Sequence, residues 1–124
     1  MGDETMIVQY TREQGYEGEI DPSFTLGSEY LVHGISFSPD GRPAMIGVQR
    51  DSDRYPVLVE LEYFDVINPT VPPDWCFFDL GGGYYRLEPC GFGGDFWQDF
   101  HDGDRAAEAS FAETISKLNA YHEI

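Results

Sequence analysis

Apolar and polar residues alternate along most of the chain, and the spacing turns helical only near the C-terminus. Met6, Val8 and Tyr10 alternate, which predicts a short first strand. Residues 13–29 follow, rich in acids and broken by Gly15, Gly18, Pro22 and Gly27, and they read as an acidic connection. Residues 30–37 predict a strand with Leu31, Ile35 and Phe37 on one face and Tyr30 and Val32 on the other. Ser38-Pro39-Asp40-Gly41-Arg42-Pro43 is a turn, because proline presets φ, aspartate bonds its own backbone and glycine accepts positive φ. Residues 44–49 return as the second arm of a hairpin, with Ile46 and Val48 facing inward.

A longer strand is predicted over residues 57–64. Val57, Val59, Leu61 and Tyr63 share one face, and Glu60 and Glu62 share the other. Asp65-Val66-Ile67 continue it after a bulge, and Asn68-Pro69 ends it. Residues 75–80 and 84–88 form a second hairpin around Gly81-Gly82-Gly83. Beyond it, a short helical turn from Asp95 leads to a helix capped by Asp102 or Asp104. Ala107, Phe111, Ile115 and Leu118 form that helix's apolar stripe, Glu113 and Lys117 pair on its wet side, and Phe96 and Phe100 join the core.

Strands precede the helix with no βαβ alternation, so the expected class is α+β: a curved antiparallel sheet or partly open barrel packed on a C-terminal helix. The length of 124 residues fits one domain. Its parts are a first strand and acidic loop over 1–28, the sheet over 29–90, and an acidic-aromatic segment with the helix over 91–124.

Charge changes the picture most. Seven Lys and Arg stand against 23 Asp and Glu, a net charge of −16. Phosphate backbones and anionic membrane surfaces require cationic contacts, so a field of this sign excludes both nucleic acid and membrane as partners. A basic protein is favoured instead, because complementary fields speed association. No targeting segment and no run of about 20 apolar residues is seen, which places the chain in the cytoplasm. There Cys76 and Cys90 are expected as reduced thiols, although their spacing also permits a disulfide.

No catalytic, cofactor or metal site is expected. Cys76 and Cys90 lie in no nucleophile signature with His33, His101 or His122, and His33 reads as a hydrogen-bonded structural residue. Asp95, Asp99, His101, Asp102 and Asp104 are close in sequence but break the EF-hand spacing, and they read as helix caps and a solvated face. Gly81-Gly82-Gly83 lacks the Lys and Ser or Thr of a phosphate loop. What remains is a surface on which carboxylates meet cations while aromatics anchor in pockets. The expected partner contacts are Glu60 and Glu62 on one strand face, and Asp95, Trp97, Asp99 and Asp102 in a segment from Glu88 to Asp104 that holds no Lys or Arg.

The run Tyr30-Leu31-Val32-His33-Gly34-Ile35-Ser36-Phe37, then Phe64-Asp65-Val66-Ile67, Pro72-Pro73-Asp74-Trp75, and Asp102-Gly103-Asp104 with Phe111 resembles small bacterial immunity proteins. These belong to polymorphic-toxin and contact-dependent growth-inhibition systems. The resemblance covers roughly residues 30–111. It implies a cytoplasmic antidote that binds one cognate toxin domain, often a basic nuclease, and it carries over no catalytic or contact residue. Two other classes compete with it. One is a barrel binding a small ligand or carbohydrate, with Trp75, Tyr84, Tyr85 and Trp97 around a pocket. The other is a small enzyme using Cys90 or a carboxylate pair such as Glu60 and Glu62.

Overall fold

The computed structural model describes residues 5–12 and 23–122. Most of the expected acidic loop, residues 13–22, lies outside them. Eight strands form two antiparallel sheets, followed by two helices: β1 Ile7–Tyr10, β2 Glu29–Leu31, β3 Gly34–Phe37, β4 Met45–Gln49, β5 Pro56–Glu60, β6 Phe64–Asn68, β7 Trp75–Gly81, β8 Tyr84–Pro89, α1 Phe96–His101 and α2 Arg105–His122. The small sheet has the order β2-β1-β6 and the large one β5-β4-β3-β8-β7. The class is α+β as expected, and the sheets do not close into a barrel.

Two expected strands are each divided between the sheets. Residues 30–37 become β2 and β3, joined by Val32 and His33. Both joining residues are buried, and Gly34 after them, so the alternation that marks a half-exposed strand fails there. Residues 57–64 become β5, a 3-10 turn at Leu61–Tyr63, and the start of β6. Arg12 at the end of β1 clamps this crossover. Its guanidinium donates to the Glu62 carbonyl at 2.6 Å, the Phe64 carbonyl at 2.8 Å and the Asp65 carboxylate at 3.1 Å. The turn brings Phe64 into the core, where its ring meets those of Tyr10, Phe24 and Tyr30.

Both hairpins form as expected. β3 pairs with β4 around a turn in which Asp40 and Gly41 have positive φ, and β7 pairs with β8 across Gly81, Gly82 and Gly83, also at positive φ. Ile46 and Val48 are fully buried. Cys76 on β7 and Cys90, just past β8, are joined in a disulfide with their Cα atoms 4.9 Å apart, not separate thiols.

Asp95 stands at the N-cap of α1 and Asp102 at its C-cap. Asp104 is the residue that caps α2, accepting from the Ala107 N–H at 3.2 Å. Ala107, Phe111, Ile115 and Leu118 are all buried, and burying the three larger ones contributes about 1.5–3 kcal/mol each. Glu113 and Lys117 form the expected pair at 3.5 Å. Phe92, Phe96 and Phe100 stack between α2 and the large sheet.

Candidate functional site

Side chains of directly paired residues share one face of an antiparallel sheet, so the pairing register sorts the large sheet into two faces. Ile46, Val48, Val59 and Trp75 occupy the face that builds the core. The other face carries Pro56, Leu58 and Glu60 of β5, Gly47 of β4, Gly34 and Ser36 of β3, and Arg86 and Glu88 of β8. Gly34 lies opposite Gly47, and Gly47 opposite Leu58. Two adjacent strands thus lack side chains at the same level, and a groove of about 430 Å³ opens there. Trp97 and His101 of α1 and Tyr55 before β5 wall it. The Tyr55 hydroxyl and His101 Nδ1 share a hydrogen bond of 2.7 Å that ties α1 to the start of β5.

Two buried polar groups line this groove. Glu88 is 5% exposed, and its Oε1 accepts from the indole Nε1–H of Trp97 at 3.0 Å. Burial raises its pKa, while the indole bond and the charge of Arg86 oppose the rise. His33 is 3% exposed and its ring lies against Gly47, so close that a Cβ there would fall 2.5 Å from His33 Cε1. Phe92, Trp97 and Phe111 surround the ring. Desolvation holds its pKa down at about 4, against a smaller opposing effect of the His33 and Val48 carbonyls, so the imidazole is neutral at pH 7. Among the described residues, neither ring nitrogen has a hydrogen-bond partner of good geometry. The expectation of a hydrogen-bonded histidine is corrected: His33 is structural in position but unsatisfied.

The expected contact residues fall at the borders of this face. Asp95, Asp99 and Asp102 are exposed on and beside α1, which walls one end. Glu60 lies at the far end of β5, four residues and about 13 Å along the strand from Pro56. Glu62 is exposed on the 3-10 turn, not on a strand face with Glu60. The two carboxyl groups still meet, and a hydrogen bond that protonated Glu60 donates to the Glu62 carboxylate holds the Glu60 pKa above its ordinary value, with desolvation and the Glu62 charge adding to it. Trp97 is half-buried and donates to Glu88, so it belongs to the groove wall.

The four aromatics of the ligand-barrel reading do not meet. Trp75 is in the core, Tyr85 stacks on Phe77 on the opposite sheet face, Tyr84 is exposed, and only Trp97 reaches the groove. Cys90 is bonded to Cys76 and is no free thiol in this form. Among the described residues, no three His, Cys, Asp or Glu are grouped to hold a metal ion. A second cavity, about 710 Å³, lies between α2 and the β4–β5 turn, and no buried titratable group lines it.

No protein-family model, curated protein or solved structure matches this chain. Among the described residues, no helix is long and apolar enough to cross a membrane. The site must therefore be read from its own chemistry. His33, Arg86 and a buried Glu88 were not among the residues singled out by pattern for partner contact. The available signal was Gly34 and Gly47, two glycines inside strands, which mark a close approach.

Proposed function

We propose that this chain is a non-catalytic binding protein that holds a basic protein partner, as an immunity protein holds the toxin domain it neutralises. The observation that carries this reading is the placement of exposed carboxylates. Those of α1 and Glu62, with the half-buried Glu60, border one face of the large sheet, in a chain of net charge −16. Local pairing engages several of the seven cations: Arg12 with Asp65, Arg50 with Asp53, and Lys117 with Glu113. The unpaired carboxylates dominate the field, which favours a cationic nuclease-like domain and repels nucleic acid.

The cytoplasm is the compartment this reading requires. Thiol buffers keep most cysteines reduced there, so the Cys76–Cys90 bond would open or cycle. The test is copurification from the native operon, followed by stopped-flow association with the captured protein. A basic partner is expected, with an on-rate that falls about tenfold or more between low and high salt. Association indifferent to ionic strength, or capture of an acidic partner, would refute the proposal.

A further inference from the structure

The groove on the outer face of the large sheet holds an opposite-charge pair that does not pair with itself. Arg86 and Glu88 are two residues apart on β8, so their side chains leave the same face about 7 Å apart. Among the described residues Arg86 makes no ion pair, and Glu88 accepts a hydrogen bond from Trp97 alone. A buried carboxylate and a nearby guanidinium left unbridged are costly unless something spans them. His33 adds a neutral ring, buried on the groove lining, with both nitrogens unpartnered. The remaining walls are apolar: Pro56 and Leu58 of β5 with the rings of Tyr55 and Trp97.

Each simple ligand charge meets an objection. A lone cation suits Glu88 but is opposed by Arg86. A lone anion suits Arg86 but is opposed by Glu88 and by the net charge of −16. A dipolar ligand with no net charge meets neither objection. An ammonium and a carboxylate on one carbon, each hydrogen-bonded outward, can engage two opposite charges whose side chains rise two residues apart on one strand face. The groove volume of about 430 Å³ lies within the range of small-molecule sites, and the apolar walls suit a hydrocarbon or aromatic substituent. We propose that this groove binds a free α-amino acid with an apolar side chain, its ammonium on Glu88 and its carboxylate on Arg86. This site is separate from the exposed carboxylates assigned to the basic partner and does not depend on that reading.

The two tryptophans give the experiment an internal control. The Trp97 indole N–H bonds Glu88, whereas Trp75 lies in the core on the other sheet face with an unpartnered Nε1. The full chain, labelled with ¹⁵N, is titrated with L-leucine and with L-phenylalanine. The Trp97 indole resonance is expected to move saturably and that of Trp75 to stay. N-acetyl-L-leucine, without the ammonium, and L-leucinamide, without the carboxylate, are expected to bind at least tenfold more weakly, as each leaves one charge unanswered. Glu88→Gln and Arg86→Gln are each expected to weaken L-leucine at least tenfold. An unmoved Trp97 resonance with both amino acids at millimolar concentration overturns the proposal. So does leucinamide binding as tightly as leucine, which would make the groove a cation site only. The analogue series uses the unsubstituted chain, so the proposal stays testable if a variant fails to fold.

Discussion

Acid stability should depend on one side chain, His33. It is buried among aromatic rings, and its pKa falls from 6.5 to about 4 on folding. Between those values the unfolded chain binds a proton that the folded chain refuses. The stability contributed by the neutral ring is therefore fully present above pH 6.5 and is lost as pH falls towards 4. The whole shift corresponds to about 3 kcal/mol, and the part lost between pH 7 and pH 4.5 is about 2 kcal/mol. Glu88 acts in the opposite sense. Its pKa is raised by burial, so its contribution improves as pH falls. Glu60 is raised as well, and a pH profile of the parent protein alone would mix these effects. His33→Phe removes the titration and keeps a ring in contact with Phe92, Trp97 and Phe111. Urea unfolding of both proteins at pH 7 and pH 4.5 isolates the term as a difference of differences, whatever the variant's baseline. The parent should lose about 2 kcal/mol more than His33→Phe over this interval. Equal losses in the two proteins would mean that His33 is hydrated or protonated in the fold, and the reasoning would fail.

Three further outcomes follow from the packing. Reducing the Cys76–Cys90 bond, or replacing both residues with serine, should cost about 3 kcal/mol from the loop it closes, read as a lower urea midpoint. Asp104→Ala should cost about 1 kcal/mol by removing the cap of α2, whereas Asp102→Ala should change stability by less than about 0.5 kcal/mol, in parallel thermal melts. Gly47→Ala drives a methyl group into the His33 ring and should cost about 1–3 kcal/mol, while an alanine at the open and non-strained Gly91 should be tolerated.

Much of the fold was legible because its signals are local. Proline, aspartate and three glycines marked both hairpin turns, and the Ala107-Phe111-Ile115-Leu118 spacing marked the buried side of α2. The two changes of sheet were not legible. At Val32 and His33 the chain passes between layers with both residues buried, and an alternation pattern reports only which face a residue occupies within one sheet. At Leu61–Tyr63 a single tight turn preserves the apparent rhythm from Val57 to Tyr63 while the strand ends beneath it. The groove was hidden for a related reason. It is made by an absence of side chains at Gly34 and Gly47, paired across strands that lie far apart in sequence from Glu88. In sequence Glu88 belongs with the acidic surface because it opens a run with Asp95, Asp99, Asp102 and Asp104 that holds no Lys or Arg. What buries it is Trp97 folding back from α1.

The small sheet has an order of events built into it. Its middle strand is β1, synthesised before both of its neighbours, yet Val8 pairs with Val66, about sixty residues later. At about 5–20 residues per second, β1 waits some 3–12 s of synthesis before its second neighbour exists. The hairpins β3–β4 and β7–β8 close over short spans and have no such delay. Throughout the wait β1 presents Ile7, Val8 and Tyr10, all buried in the finished fold, on a strand with an open edge. Arg12 ends that wait by gripping the crossover into β6. An N-terminal fusion that slows this docking would therefore act on the yield of folded protein before it acted on the stability of what had folded.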